Sequence, residues 1–439
     1  MFNNILRFTQ NKLNILYENS LLLKNLDRLI FLCIIAVFLL STFMPSDVMG
    51  LAAIVAAILT FIKVVTKPGD KFEPNTFELW LFAYFMIVVI SLAGSTLFTL
   101  SLKGFFKTVT YLGFYISVVH YLKDNRDKIP HILTAIAVCI GGESIIGLMQ
   151  NFAHVEAIST WQDVSGLNPE QIMTRVYGTL QPLNPNLLGG YFVAGIPSLF
   201  GLSAIFLSDK KYKLSAITLI FGLLSTVVLF LTGCRGAYIA CMAIYLGIFT
   251  ICAKFLWHKY KKLFMAVVSS GIVAISLAII FIGSLRARIF SIFAMRQDSS
   301  NSFRFNVYQS SLQMFKDNWL LGIGVGNKNF REIYGLYMRT GFDALSAYNI
   351  FLETAVESGI FALIAFVGFV FVAVKDGIKI ILKSSNIKNV IYASAAVTAI
   401  LALMVHGLVD TVFFRPQIQF IFWTMVGILS CSCADEKVA

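Results

Sequence analysis

The hydrophobic pattern of the chain consists of long apolar runs with few or no charges, separated by mostly short polar connections. Most of these runs have roughly 17 to 25 residues, the length that an α-helix needs to cross a hydrocarbon core of about 30 Å. The pattern therefore predicts an all-α integral membrane protein with about 12 transmembrane helices. The predicted spans are 29–44, 48–66, 76–94, 104–122, 130–152, 186–207, 214–232, 236–256, 263–284, 346–374, 389–413 and 416–431.

The runs and connections divide the chain into five parts. Residues 1–28 carry charges throughout and lack the pattern of a cleaved signal peptide, so they are predicted to form a cytoplasmic interfacial segment. Helices one to nine occupy 29–284, and helices ten to twelve occupy 346–431. Between them, 285–345 are predicted to form a large extracytoplasmic loop that contains an amphipathic helix. Residues 432–439 are predicted to form a cytoplasmic tail.

Lysine and arginine residues are concentrated in every second connection, and the positive-inside rule places these connections and both termini in the cytoplasm. This alternation also explains the formal net charge of +12, since the basic residues form small groups and no nucleic-acid-binding patch. Two long connections, 153–185 and 285–345, then lie on the non-cytoplasmic side. A functional site is expected there.

Composition narrows the function classes further. With 58% hydrophobic and 13% charged residues, the chain lies outside the range of soluble globular domains. The seven cysteines lie mostly inside apolar runs and lack the spacing of metal ligands, so we interpret them as packing residues. No metal site and no cofactor is predicted.

Two arginines stand at predicted outer helix ends. Arg175 opens a segment that leads through Asn184 and Asn186 into the sixth helix, and Arg235 lies in a short turn between Gly233 and Gly236. A guanidinium at the membrane boundary can bind a phosphate in two-point geometry, and the asparagines add neutral hydrogen bonds. The alternative is an arginine that extends to lipid headgroups. Function is favoured more strongly for Arg235, because a charge at that depth is costly without a partner.

The large loop and the last helices contain further candidates. Arg304 begins an amphipathic segment that ends near Trp319, whose ring could contact a sugar, although aromatic residues also anchor helices at the interface. A glycine-rich run, 322–326, follows no strand, so a dinucleotide fold is not indicated. In the last helices, ionisable groups recur four residues apart, and they form either a functional site or a structural ion-pair cluster. These groups are Glu353 with Glu357, and His406 with Asp410, which precede Arg415.

Taken in order, these segments resemble the O-antigen ligase and polymerase superfamily of bacterial membrane proteins. The matching pieces are 175–186, 232–237, 304–330 and 349–359, together with the long outer loop before the tenth helix. The ending 406–416 and the segment 346–350 are most similar to the cyanobacterial IctB-type proteins, once proposed to be bicarbonate transporters.

The resemblance implies a metal-independent glycosyl transfer at the outer face of the bacterial cytoplasmic (inner) membrane. The donor would be a glycan on undecaprenyl diphosphate, and the acceptor a hydroxyl of a glycan or glycolipid. Arg175 and Arg235 stand at the family's positions for arginines that hold the diphosphate. The remaining candidates for substrate binding are Asn184, Asn186, Arg304, Trp319, Asn349 and Arg415.

The sequence departs from the ligase pattern at the head of the tenth helix. Ligases carry a histidine before the asparagine there, thought to help activate the acceptor hydroxyl, and this chain has Tyr348. A tyrosine with a pKa near 10 is a poor general base at neutral pH. Glu353, His406 and Asp410 are the candidates to replace it.

Two other hypotheses stay open. One is a transporter of bicarbonate or another anion that uses the same arginines. Transport needs access from both faces, yet the arginines outside the cytoplasmic connections cluster at one side, and no inverted repeat is visible. The other is a catalytically inactive relative that binds lipid-linked glycan.

Overall fold

The computed structural model describes residues 2–67, 73–153, 175–293 and 299–438. Most of the predicted outer connection 153–185 therefore lies outside the described residues, as do 294–298 of the second. The described chain is helical and contains no strand. Its α-helices are α1 (Phe2–Asn19), α2 (Leu21–Lys24), α3 (Leu26–Leu40), α4 (Ser46–Thr66), α5 (Thr76–Ala93), α6 (Phe98–Asp124), α7 (Ile129–Phe152), α8 (Pro185–Ser208), α9 (Tyr212–Leu231), α10 (Arg235–Phe281), α11 (Gly283–Phe290), α12 (Ser299–Asp317), α13 (Asn327–Tyr334), α14 (Ile350–Lys383), α15 (Ile387–His406) and α16 (Pro416–Val438).

The helices confirm the prediction of an all-α integral membrane protein. Within the described ranges, 10 helical segments are long and apolar enough to cross a membrane, and they coincide with ten of the predicted spans. The other two predicted spans, 29–44 and 104–122, fall on α3 and α6. The first of these helices has only 15 residues, and the second contains three lysines.

Some boundaries differ from the prediction. The tenth predicted span, 346–374, is α14, which begins at Ile350 and continues to Lys383. It starts later because the side-chain oxygen of Asn349 caps its first turn. At the other end of the chain, α16 continues to Val438, so most of the predicted tail 432–439 is helical.

Helix α10 comprises two antiparallel spans. Its 47 residues would extend about 70 Å if straight, but Tyr260 leaves helical geometry at φ −127° and ψ 30°. The chain folds back there, since the rings of Phe249 and Phe264 lie 5.3 Å apart. The fold-back also brings Arg235, the first residue of α10, within 3.1 Å of the carbonyl of Ser291 beyond its end.

One end of the helix bundle collects the polar residues of interest. Helices α7, α9 and α15 end there, and α8, α10, α14 and α16 begin there. Backbone hydrogen bonds join these ends: Ile350 donates to Gly407 (2.8 Å), and Val176 donates to Leu231 (3.2 Å). The predicted site residues are therefore near one another because successive spans alternate in direction.

The glycine-rich run 322–326 is a tight turn that packs into an interruption of α14. The interruption is at Gly359, which has φ 79° and ψ 179°. Backbone groups freed by the break bond to the glycine-rich turn and to its flanks. Gly324 donates to Glu357 O (2.8 Å), and Ile360 donates to Trp319 O (2.9 Å). The turn is therefore a structural element that joins the long connection between α10 and α14 to the bundle.

Replacing Gly359 tests the packing of the glycine-rich turn against α14. A Cβ at this position would overlap the carbonyl of Leu320, and the positive φ disfavours any side chain. We expect Gly359→Ala to destabilise the folded state by about 2 kcal/mol or more, measured as a lower thermal unfolding midpoint in detergent. Gly142→Ala is the matched control, because no atom lies within 4 Å of its Cβ position. An equal thermal unfolding midpoint in both variants would contradict the structural role of this contact.

Candidate functional site

Four arginines line a cavity of about 130 Å³ at the polar end of the bundle. They come from four separate segments of the chain, which are the residues before α8, the start of α10, α11 and α12. No acidic side chain lines the cavity among the described residues, so its lining is strongly positive. The lining arginines are Arg175, Arg235, Arg288 and Arg304. The other lining residues are Asn186, Cys234, Gly236, Ile239, Ile292, Ser300, Asn301 and Val409.

Arg175 is held by hydrogen bonds at two of its nitrogens. Its Nε donates to the carbonyl of Thr232 (2.7 Å), and its Nη2 donates to Oδ1 of Asn186 (2.6 Å). Burial, together with the nearby positive charge of Arg288, lowers the pKa of Arg175 to about 10. Because that value is still far above neutral pH, the guanidinium remains charged.

Glycines allow the arginines to approach the turn between α9 and α10. Gly233 has φ 62°, and a Cβ there would lie 3.1 Å from Nε of Arg175. Its carbonyl accepts a hydrogen bond of 2.8 Å from Nε of Arg288. Arg235 begins the next helix and donates from Nη1 to the carbonyl and hydroxyl oxygens of Ser291 (3.1 and 3.2 Å). Backbone and hydroxyl oxygens thus orient these guanidiniums.

Asp410 is a buried carboxylate that connects Asn186 to Arg304. Its Oδ2 accepts a hydrogen bond from Nδ2 of Asn186 (3.3 Å) and lies 3.8 Å from Nη2 of Arg304. Its Oδ1 accepts from the backbone N–H groups of Thr411 (2.7 Å) and Val412 (3.2 Å). The carboxylate therefore has a defined orientation next to the cavity.

Two predicted asparagines act as helix caps. Asn184 accepts hydrogen bonds at the start of α8 from the N–H groups of Asn186 (2.7 Å) and Leu187 (3.4 Å). Asn349 caps α14 in the same way, and its amide donates to the carbonyl of Leu408 (3.0 Å). Both side chains position the helices that carry or adjoin the site.

Tyr348 adjoins the arginine cluster in an unusual backbone conformation. Its φ is 51°, a region that costs a non-glycine residue of order 1 kcal/mol. Its ring centre lies 5.7 Å from the guanidinium carbon of Arg304. Burial and the carboxylate of Asp410 raise the pKa of Tyr348 above its usual value, which makes it a still weaker base at neutral pH.

His406 faces a cysteine across the helix ends. Its Nε2 lies 3.7 Å from Sγ of Cys234, and ligating atoms of these two residues and Asp410 all lie within 4.8 Å of one another. Sulfur, nitrogen and oxygen could in principle hold a transition metal. However, the oxygens of Asp410 already accept bonds from N–H groups, and the neighbouring guanidiniums oppose a cation. The local electrostatics favour an anion.

The described cavity lining does not include eight of the predicted site residues, which are Asn184, Trp319, Tyr348, Asn349, Glu353, His406, Asp410 and Arg415. Glu353 accepts a hydrogen bond from the backbone N–H of Ala347 (3.1 Å), and so supports the segment before α14. Trp319 is 53% exposed beside the interruption of α14. Arg415 is exposed ahead of α16. Their roles in chemistry or binding remain predictions.

Comparison with known families identifies part of the chain. Residues 220–367, about a third of the chain, match the family model of the O-antigen ligases. This part of the chain is therefore similar to an O-antigen ligase domain. This confirms the resemblance to the superfamily, while the similarity to the IctB-type proteins stays a resemblance. No curated protein matches the sequence significantly.

The matched segment contains cavity residues that the sequence did not single out, among them Arg288 and Cys234. Arg288 lies two residues from Arg286 in α11, and their spacing alone does not show which one faces the cavity. Cys234 lies beside Arg235 in the cavity lining, but its position in the sequence indicated only a packing residue. Arg288 enters the site because α10 folds back on itself, a tertiary feature that local patterns do not reveal. Arg175, Asn186 and Val409 line the same cavity from outside residues 220–367, and Asp410 lies beside it.

A larger cavity of about 470 Å³ lies at the opposite ends of α7, α8 and α15. Its charges are balanced by ion pairs, in which Arg126 pairs with Asp435 and Lys388 pairs with Asp209. It differs in this from the arginine-lined cavity, whose described lining contains no acidic side chain.

Arg288 provides a direct test of the anion site. We expect Arg288→Ala to weaken the binding of inorganic pyrophosphate about tenfold or more, because one charge-assisted contact is removed. Isothermal titration calorimetry on the purified protein measures the change. Arg286→Ala is the matched control, since Arg286 is exposed and donates to the carbonyl of Ile280. Equal losses in the two variants would contradict the site.

Proposed function

We propose that the protein is a membrane glycosyltransferase of the O-antigen ligase or polymerase type. It transfers a glycan from undecaprenyl diphosphate to a hydroxyl group of an acceptor sugar. The reaction takes place at the outer face of the bacterial cytoplasmic membrane. The observation that carries this proposal is the convergence of four arginines, from separate segments, on one cavity at a membrane-boundary end of the bundle.

The cavity suits the leaving group of this reaction. When the bond between the anomeric carbon and the phosphate oxygen breaks, its electron pair remains on the diphosphate, where negative charge grows in the transition state. Guanidiniums that are already oriented stabilise that charge without reorganisation. Arg175 and Arg235 are the proposed diphosphate ligands, with Arg288 and Arg304 completing the positive lining. Asn186 links Arg175 to Asp410.

Asp410 is the proposed general base for the acceptor. The acceptor oxygen forms the new bond to the anomeric carbon, and its proton must pass to a nearby group. Asp410 contacts Arg304 and Asn186, both of which line the cavity. Glu353, which accepts a hydrogen bond from the backbone N–H of Ala347, and His406, which is fully buried against Cys234, are the alternative candidates.

The charge distribution supports the orientation. The cavity lies at the end of the bundle opposite the lysine-rich connections after α6 and α8 and before α15. By the positive-inside rule, those connections are cytoplasmic, so the cavity faces outward. Lipid-linked glycans presented on the outer leaflet would then have access to the arginines.

Arg235→Ala tests the transferase assignment. We expect transfer to fall at least about a hundredfold, because a preorganised donor to the developing charge is lost. Mass spectrometry of lipid-linked glycan and glycosylated acceptor measures it in membranes that contain equal amounts of folded protein. Arg286→Ala should retain activity. Wild-type transfer rates in Arg235→Ala would rule out this mechanism.

The transport alternative has a separate test. Proteoliposomes that contain the protein should take up no labelled bicarbonate above empty vesicles if the chain is a transferase. Uptake that depends on the protein would favour the transporter.

If the chain is a transferase, deletion of the gene should cause unprocessed lipid-linked glycan to accumulate. No accumulation would favour transport or an inactive glycan-binding relative.

A further inference from the structure

The segment 175–181, which we call the Arg175 segment, has no helical structure of its own. It precedes α8 and carries Arg175 at its first position. A segment without internal backbone pairing must obtain hydrogen bonds from elsewhere when it is buried. In this protein, side chains of α7 supply several of them.

Gln150, near the end of α7, uses both ends of its amide on this segment. Its Oε1 accepts from the N–H groups of Tyr177 (3.0 Å) and Gly178 (2.9 Å). Its Nε2 donates to the carbonyl of Gly178 (3.1 Å). One side chain therefore satisfies three backbone groups, in a pattern that fixes the orientation of the peptide.

Glu143, two turns earlier in α7, holds the next residue of the segment. Its carboxylate accepts from the N–H of Thr179 (3.0 Å) and from the Thr179 hydroxyl. Gly178 has φ 66°, and a Cβ there would overlap the Glu143 carboxylate. This contact explains an acidic residue with 1% exposure inside a predicted span.

The remaining anchors come from other helices. Val176 donates to Leu231 O at the end of α9, and Gln417 of α16 donates to the carbonyl of Gln181 (2.8 Å). The guanidinium of Arg175 is fastened separately to Thr232 and Asn186. The backbone of the segment is thus held mainly by side chains of α7. The guanidinium of Arg175 is held by Asn186 of α8 and by the turn after α9.

We propose that Gln150 is a positioning residue for Arg175, and that Glu143 helps to hold the same segment in place. By fixing the peptides of Tyr177 and Gly178, Gln150 determines where the Arg175 guanidinium enters the cavity, and thereby the affinity of the site for a diphosphate. The effect of Gln150 on diphosphate affinity rests on the proposed function, whereas its effect on the placement of the Arg175 segment does not.

A double-mutant cycle tests the effect on affinity. Gln150→Ala should weaken pyrophosphate binding about tenfold in the wild-type background, a loss typical of one or two hydrogen bonds. In an Arg175→Ala background the same change should cause no further loss, since Gln150 acts through Arg175. Equal losses in both backgrounds, or no loss in the wild type, would overturn the proposal.

Hydrogen exchange tests the placement of the segment without any ligand. In Gln150→Ala, amide exchange in the peptide 175–180 should accelerate, while exchange in α8 stays unchanged. Met149→Ala is the matched control, because Met149 is adjacent in α7 and 64% exposed. Unchanged exchange in Gln150→Ala would overturn the placement. If the wild-type protein bound no pyrophosphate, the proposed function would fail, and hydrogen exchange would still decide the placement.

Discussion

The structure depends on keeping four guanidiniums together at the boundary of a membrane. Like charges repel one another, and a buried charge without a partner is expensive, so such a cluster persists only with compensation. Asp410 supplies one negative charge, close to Arg304. Carbonyl and hydroxyl oxygens orient Arg175, Arg235 and Arg288. The resulting convergence of guanidiniums on one cavity is the feature on which the proposed diphosphate site is based.

Helix ends provide the geometry for this cluster. A helix end leaves carbonyl or N–H groups without intrahelical partners, and these groups become ligands for nearby side chains. Thr232 at the end of α9 accepts from Arg175, while Asn184 and Asn349 cap the helices that begin at the site. The ends meet because successive spans run in opposite directions. The membrane fold and the site therefore have a common cause.

Several features of this arrangement could be predicted from the sequence, because they are encoded locally. Apolar runs predicted the spans, and Arg175, Asn186, Arg235 and Arg304 were recognised from their positions at helix ends or in the long connections. The structure places these four around one cavity. Arg288 was missed because its inclusion depends on the reversal of α10 at Tyr260. The support from Gln150 was missed for a similar reason: a polar residue near a helix end has many uses, and only tertiary contacts distinguish them.

In the proposed transferase, the departure at Tyr348 concerns the activation of the acceptor more than the binding of the donor. Its raised pKa makes it unsuitable as a base, yet the arginines remain in place around the cavity. The proposed function therefore depends on whether this cavity recognises a lipid diphosphate. Native mass spectrometry of the purified protein with undecaprenyl diphosphate and undecaprenyl monophosphate tests it most directly. We expect the diphosphate to bind clearly more tightly than the monophosphate, and equal affinity for the two lipids would contradict the proposed function.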